Sequence, residues 1–408
     1  MIKNTLTVPK SQDQRERLLR LLVTATFLIF FQAYMVAPLI PHLAVAFKVS
    51  SQTIGLIVPA YLIPYGIGSL IYGLLSDQIG RRRIILTSLV GFVVLTCFTT
   101  TAQSASQLIF WRFLTGLCAS GVIPLALTLI GDIYPYERRG RPMGWIFGAM
   151  AGGMAFGSTF GALLEPLITW RGIFIGVGIL GALVLSLLYL KRHLLGNATR
   201  STTNNIRDLL TTYKMLLGSG RGQQTYAYVL LNGIFHSGVY TWLGLYFQQR
   251  YGLGEVGIGL ALLGYGVPGF LLGPMIGRAV DRWGRSWLLP TGFAIAGVAA
   301  AILMFHLPLV VAAVAVTLLS LGYDMTQPLL AGIVTSLGGK RGGQAMGLNV
   351  FTLFIGFGVG SFLFGEVLRL GLNVALFLFA AIILVAALAA IPLFRSEAPN
   401  VVSSSERT

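Results

Sequence analysis

Of 408 residues, 55% are hydrophobic and only 10% charged, with a mean hydropathy of +0.79, which leaves too little polar surface to clothe water-soluble domains. The formal charge of +16 sits in short clusters between apolar runs with no aromatic-basic alternation, which excludes a nucleic-acid surface. The 51 glycines suit helices that pack closely in lipid through small residues.

The first twenty residues are polar and basic, and segment 1–20 is expected as an N-terminal cytoplasmic segment. The apolar run after it is too long for a signal-peptide core and is expected to stay as the first span. A hydrocarbon core about 30 Å thick needs about 20 helical residues. That length predicts twelve spans, at about 21–46, 54–76, 84–103, 107–131, 142–165, 170–190, 225–249, 256–280, 286–306, 308–336, 342–366 and 372–394. His306 and Pro308 separate the ninth from the tenth. Cys97 and Cys118 fall inside apolar runs and read as packing residues.

Lys and Arg orient the bundle, because positive residues stay on the cytoplasmic side. With both termini inside, that side holds Arg81, Arg82 and Arg83, then Arg138, Arg139 and Arg141, residues 191–221, Arg278 to Arg285, and Lys340 with Arg341. The other face keeps Lys48, Arg171, Arg250 and Arg369. The polar stretch 191–224 reads as a cytoplasmic linker between an N-terminal six-helix bundle, 21–190, and a C-terminal one, 225–394, followed by a tail, 395–408. The halves echo each other. Asp77-Gln-Ile-Gly80-Arg81 returns as Asp281-Arg-Trp-Gly284-Arg285, and Arg138-Arg-Gly-Arg-Pro-Met143-Gly144 as Arg341-Gly-Gly-Gln-Ala-Met346-Gly347, about 203 residues on. Such a repeat predicts two pseudo-symmetric bundles enclosing a midplane site.

On these residues the chain resembles the major facilitator superfamily, and within it the twelve-span drug:proton antiporters and their sugar- and metabolite-efflux relatives. The likeness covers essentially the whole chain. It is most specific at Gly73-Leu-Leu-Ser-Asp77-Gln-Ile-Gly80-Arg81-Arg82-Arg83, where Gln78 replaces the usual basic residue. Pro38-Leu-Ile-Pro41 in span one is similar to the family's Pro-x-x-Pro element, and Arg112-Phe-Leu-Thr-Gly116 in span four to its Arg-x-x-x-Gly core. Gly144, Gly153, Gly157 and Gly161 in span five keep the spacing of the so-called antiporter motif, with Ser158 where the pattern has Pro and Ala162 where it has Gly. The resemblance implies an all-α integral membrane fold and a cytoplasmic latch of Gly73, Asp77, Gly80, Arg81 and Arg82, with Asp132 as charge partner and Asp281, Gly284 and Arg285 as the counterpart in the second half. The loop's chemistry fits a latch, since Gly80 permits a tight reversal and Asp77 can accept from free helical N–H groups or a neighbouring Arg. A topology signal alone would need neither Gly73 nor Asp77.

Charge near the bilayer centre costs about 2.5–3.5 kcal/mol on insertion scales, so each instance needs a reason. Asp324, in Gly322-Tyr-Asp-Met-Thr-Gln-Pro328, is the candidate for a protonatable coupling or cation-binding residue, against a purely packed aspartate. Arg112 lies about 13 Å outward of Asp324 at about 1.5 Å per residue, too far for a direct ion pair, and is a candidate relay partner, anion site or structural donor. Glu165 and Glu366, at near-equivalent outer turns of spans five and eleven, read as rim carboxylates in water or as collectors of protons or cationic substrate. The cavity candidates are Phe27, Phe31, Gln32 and Tyr34 of span one, Phe235, His236, Tyr240 and Trp242 of span seven, and Tyr323 with Gln327 of span ten. His236 also reads as a packed neutral imidazole. Walls of aromatic residues and methionine suit an amphipathic organic molecule better than a multiply charged one.

The expected function is secondary active transport of a small organic solute by alternating access, as proton-coupled efflux, in the cell inner membrane, with small-molecule substrate, protons and lipid as partners and no nucleic acid, cofactor or metal. A monomer is expected. Uptake by proton symport is the alternative. An enzyme would need a nucleophile with a base, a paired-carboxylate site or a metal cluster, and a channel a pore loop or a ring of like charge; the sequence offers none of these patterns.

Overall fold

The computed structural model describes residues 11–134, 140–195, 206–268, 271 and 284–397, and all regular structure among them is helical. The first helix, α1 (Gln12–Tyr34), starts ahead of the expected span because the Ser11 side chain accepts from the Gln14 N–H at 3.2 Å and Asp13 lies in the first turn. It stops ahead of Pro38, in a single 3-10 turn (Ala37–Leu39) that leads into α2 (Ile40–Phe47) with Pro41 in its first turn. The rest of this half comprises α3 (Ser51–Gly55), α4 (Pro59–Ile79), α5 (Arg81–Thr99), α6 (Ala105–Ala119), α7 (Ile123–Ile133) and α8 (Gly140–Leu190). At Thr169 in α8 the backbone is non-helical, φ 59° and ψ 164°, three residues after Pro166, so this element is two spans joined by a sharp break.

Within the stretch expected as linker lies a helix, α9 (Ile206–Gly218). In the second half follow α10 (Gly220–Thr241), α11 (Leu243–Tyr251), α12 (Glu255–Ala261), α13 (Arg285–Ile302), α14 (Leu309–Gly338), α15 (Gly342–Val367) and α16 (Leu372–Leu393). Pro308 caps α14, and the chain between it and α13 is not helical, as the His306–Pro308 pair suggested. Nine stretches among the described residues are long and apolar enough to cross a membrane, one of them holding both spans of α8. The α10–α11 pair carries Gln223, Gln224, Asn232, His236, Gln248 and Gln249, which lower its hydropathy, and most of the second part of the expected eighth span, after residue 268, lies outside the described residues. The architecture is two bundles of six spans.

Helix pairing repeats between the halves: α1 lies along α8 as α10 lies along α15, and the halves meet where α4 faces α15 and α8 faces α12. Glycine sets both internal contacts. A Cβ on Gly157 would stand 2.5 Å from the Phe31 carbonyl oxygen and one on Gly153 2.6 Å from that of Phe27, while one on Gly161 would strike the Met35 carbonyl. Their counterparts are Gly356, 2.6 Å from the Leu230 oxygen by the same measure, and Gly360 against Ile234. Gly153 with Gly356, and Gly157 with Gly360, keep the 203-residue offset of the sequence repeat. Gly144, expected as a packing glycine, is exposed with nothing within 4 Å of its would-be Cβ. It lies nine residues before Gly153, about half a turn out of phase at about 100° per residue, and so faces away from α1.

On the face remote from the described chain ends, Gly244 of α11 packs on the Pro38 backbone, and the Trp242 indole fills the space beside Gly55 and Gly365 while its N–H donates to the Ser361 carbonyl at 3.0 Å. These contacts close that face between the halves.

Candidate functional site

Where α1 ends, the carbonyls of its last turn lose their helical partners. Arg112 of α6 takes them over. Its guanidinium donates to the carbonyl oxygens of Gln32 (2.9 Å), Ala33 (2.7 Å) and Ile57 (3.1 Å) and to the Gln32 side-chain oxygen (2.8 Å), with 0% exposure. It also lies 4.3 Å from the centre of the Tyr61 ring, a cation–π arrangement. One turn on, Gly116 packs against the Tyr61 backbone. The Arg-x-x-x-Gly spacing thus fastens α6 to α1 and α4, and of the three roles open to Arg112 it fills that of structural donor.

From Tyr61 a run of rings crosses between the halves. Tyr61 stacks on Tyr65, Tyr65 on Phe354 of α15 (4.2 Å between centres), Phe354 contacts Phe357, and Phe357 contacts His236. His236 stacks on Tyr323 at 3.7 Å and lies within hydrogen-bonding distance of the Tyr265 hydroxyl, 2.9 Å from Nδ1. Tyr265 stacks on Tyr240, whose ring contacts Tyr34 of the first half at 5.6 Å. The Tyr240 hydroxyl donates to Ser158, which also lies 3.3 Å from the Tyr34 carbonyl oxygen. The serine that replaces the motif's proline therefore links span five to spans one and seven.

Buried polar groups are spaced along this aromatic wall. Asn232 donates to Gln327 at 3.2 Å and accepts from Thr326 at 3.3 Å. The Gln32 amide nitrogen, the Tyr65 hydroxyl and the Asn349 side-chain oxygen are buried with no protein partner, and such groups need a partner. Asp324 accepts from the Ser320 hydroxyl at 3.0 Å, and Ser320 accepts from the Gly266 N–H at 2.9 Å. Gly266 has φ +80°, in the non-helical turn after α12, and packs on Ala155 of α8 in the other half. The carboxylate is thus linked through one hydroxyl to a backbone break at the junction of the halves.

Not all the expected cavity residues meet here. Phe27 and Phe31 lean on each other and on α8, Phe27 contacting Phe156, because four-residue spacing sets them on the face that meets span five; it is Phe30 that reaches Tyr65 and Phe354. Trp242 belongs to the closed remote face, and Phe235 is buried. Glu165 and Glu366 have unlike settings: Glu366 pairs with Arg369 at 3.2 Å and is partly open, whereas Glu165 is 5% exposed, 3.0 Å from His42. Tyr61, Tyr65, Tyr265, Phe354, Phe357 and Ser320 went unforeseen. Tyr61 and Tyr65, four apart in an otherwise apolar span, carried a signal that was legible.

At the loops proposed as latch, Gly80 (φ 96°) and Gly284 (φ 77°) share a left-handed-side backbone at the same point of the repeat, which only glycine adopts readily. Gly73 has open space around its would-be Cβ and Arg81 is buried. Arg285 lies 3.8 Å from Glu397, which also pairs with Arg221. Asp281 lies outside the described residues, as do the side chains of Asp77 and Asp132.

The family model described as Major Facilitator Superfamily matches residues 22–262 and 254–408. The chain is similar to the uncharacterized MFS-type transporter YwfA of Bacillus subtilis, 26% identical over 82% of this chain and 81% of that protein. It is also similar to Multidrug resistance protein 3 of Bacillus subtilis, 34% identical over 29% of this chain and 23% of that one. Among solved structures, a bacterial homolog to the human lysosomal transporter Spinster, inward-facing and unoccupied, superposes with a TM-score of 0.77 at 17% identity, covering 95% of this chain and 99% of that one.

Proposed function

Because the chain belongs to the major facilitator superfamily, and is thus a multi-pass membrane transporter of small molecules rather than an enzyme, we propose that it exports an amphipathic organic solute in exchange for protons. The observation that carries the reading is the aromatic wall shared by both halves, from Tyr61 and Tyr65 through Phe354 to His236, Tyr323 and Tyr240, with unpartnered polar atoms along it. Such a surface recognises flat or greasy molecules through stacking and a few hydrogen bonds. Rocking of the halves opens it to either side in turn.

Asp324 is the proposed coupling residue, since its hydrogen bond through Ser320 to Gly266 gives protonation a route to the backbone where α8 meets the second half. The Arg-rich loops support an inner-membrane orientation with both termini in the cytoplasm. Residues 191–224 are then the cytoplasmic connection, and Asp77, Gly80, Arg81 and Arg82, with Asp132 and their counterparts around Gly284 and Arg285, serve as the cytoplasmic latch. The similarity of 29% of the chain to a multidrug resistance protein of Bacillus subtilis supports the outward direction. The test is solute movement in inverted membrane vesicles under an imposed pH gradient. Accumulation driven by acid inside and lost in Asp324→Asn is expected; gradient-driven movement that survives in Asp324→Asn refutes the coupling role, and movement down the proton gradient would mean symport.

A further inference from the structure

Three helix ends bring polar side chains together on the face remote from the chain ends. His42 lies in the first turn of α2, Glu165 sits in α8 beside Pro166 and ahead of the break at Thr169, and Glu255 opens α12. Gly259, one turn into α12, packs so closely on α8 that its would-be Cβ stands 3.0 Å from the Thr159 carbonyl oxygen and 3.0 Å from the Leu163 side chain. That contact sets the start of α12 beside the end of the first span of α8. Both carboxylates then reach His42, a Glu165 oxygen 3.0 Å from Nε2 and a Glu255 oxygen 3.0 Å from Nδ1.

Hydrogen bonding leaves the cluster incomplete. The contact between His42 and Glu255 has hydrogen-bond geometry, whereas that between His42 and Glu165 is a charge contact alone. The Glu165 side chain is only 6% exposed, yet among the described residues no donor hydrogen-bonds it, and no Arg or Lys pairs with either glutamate. Arg171, further along α8, is held by the carbonyls of Thr100 and Ala102, and Arg250 of α11 by the Met304 carbonyl and Asn373. A carboxylate buried without donors is costly unless a cation completes its surroundings.

One ligand atom from each of His42, Glu165 and Glu255 lies within 4.8 Å of the other two. Zinc holds nitrogen and oxygen ligands at about 2.0–2.2 Å, and its tetrahedral geometry sets them about 3.4 Å apart. Closing the widest pair onto an ion takes about 1.5 Å, within the swing of a glutamate side chain. His42 and Glu255 are 34% and 32% exposed, which gives an ion a way in and leaves room for water as fourth ligand. Two carboxylates offset the ion's double charge. The imidazole favours zinc over magnesium or calcium, and three protein ligands fall short of the roughly six to eight oxygens that calcium takes.

We propose that His42, Glu165 and Glu255 form a zinc-binding site. The first two residues belong to one half of the chain and Glu255 to the other, so a single ion fastens the halves together on this face. Where the halves rock as proposed above, bound zinc keeps this side closed. The site rests on neither the solute, the direction of transport nor the role of Asp324.

The test is calorimetric titration of zinc into the full chain, without an affinity tag, stripped with a chelator and held in lipid nanodiscs. Cys97→Ser and Cys118→Ser remove competing thiols. One ion per chain is expected, together with a raised unfolding midpoint because the ion binds the folded state, and magnesium should give neither. His42→Gln and Glu255→Gln should both lose the one-to-one step. Glu255 is partly exposed at a helix start, so its replacement leaves the packing intact, which the unfolding midpoint in chelator checks. Absence of saturable binding in the unmodified chain, or an equal response to magnesium, overturns the proposal. So does a step that survives in His42→Gln, which puts the ion elsewhere, or in Glu255→Gln, which confines it to one half. Asp324→Asn should bind zinc as the unmodified chain does, so failure of the coupling reading and failure of this site are told apart.

Discussion

Arg112 and Gln32 are joined by two hydrogen bonds from one guanidinium nitrogen, to the backbone carbonyl at 2.9 Å and to the side-chain oxygen at 2.8 Å. Arg112 thereby caps the broken end of α1, at Gln32 and Ala33, with a side chain from α6, and the bond to Ile57 ties the cap to the turn that leads into α4.

Replacing Arg112 with Met keeps the volume but strands those carbonyls in a buried site. A loss of about 1–3 kcal/mol is expected, read as a lowered unfolding midpoint in detergent. Arg112→Lys should recover only part of it, because a compact ammonium cannot match the planar fork that reaches three backbone oxygens at once. An unchanged midpoint in the Met variant would show that the cap is dispensable.

Close packing of α1 on α8 makes a second expectation. Gly157→Ala forces a methyl group against the Phe31 carbonyl and should destabilise by about 1–3 kcal/mol. Gly144→Ala, on the opposite face, should leave thermal stability unaltered, although both glycines belong to the same sequence motif.

The aromatic wall separates two groups of phenylalanines. Phe354→Ala removes the ring that stacks on Tyr65 across the halves and should raise KM for an aromatic solute by about tenfold, the scale of about 1.5 kcal/mol for such a contact. Phe27→Ala should leave KM where it was, since that ring packs on span five. Equal effects would place the solute elsewhere.

Ser320 sits between Asp324 and the Gly266 backbone. Ser320→Ala should weaken gradient-driven movement while gradient-free solute exchange continues, and Ser320→Thr, which keeps the hydroxyl, should restore the coupling. Comparing counterflow with gradient-driven uptake in the same vesicles distinguishes this from simple loss of protein.

Much of the fold was legible because hydropathy and loop charge are local properties. The break between spans nine and ten fell where Pro308 forbade a continuous helix, and Gly153, Gly157 and Gly161 of span five lie against the backbone of span one. The helix α1 starts at Gln12, ahead of the apolar run, because a cap at Ser11 carries it through polar residues. The candidate site was read less well. Helical phase, which hydropathy does not report in an almost wholly apolar span, turned Phe27 and Phe31 aside and brought Phe30 inward. Glu165 and Glu366 looked equivalent in the repeat, yet one is buried against His42 and the other pairs with Arg369.

By itself the sequence determined that the chain dissolves in lipid, how often it crosses, and that its second half repeats its first, because each follows from composition and spacing along one strand of chain. Only the tertiary structure decided that Arg112 closes a helix end, that Ser158 holds Tyr240, and that His42 lies between Glu165 and Glu255. Those meetings depend on how helices from distant parts of the chain rotate and cross, and in a lipid-embedded bundle that is set by packing of small residues rather than by any pattern within one span.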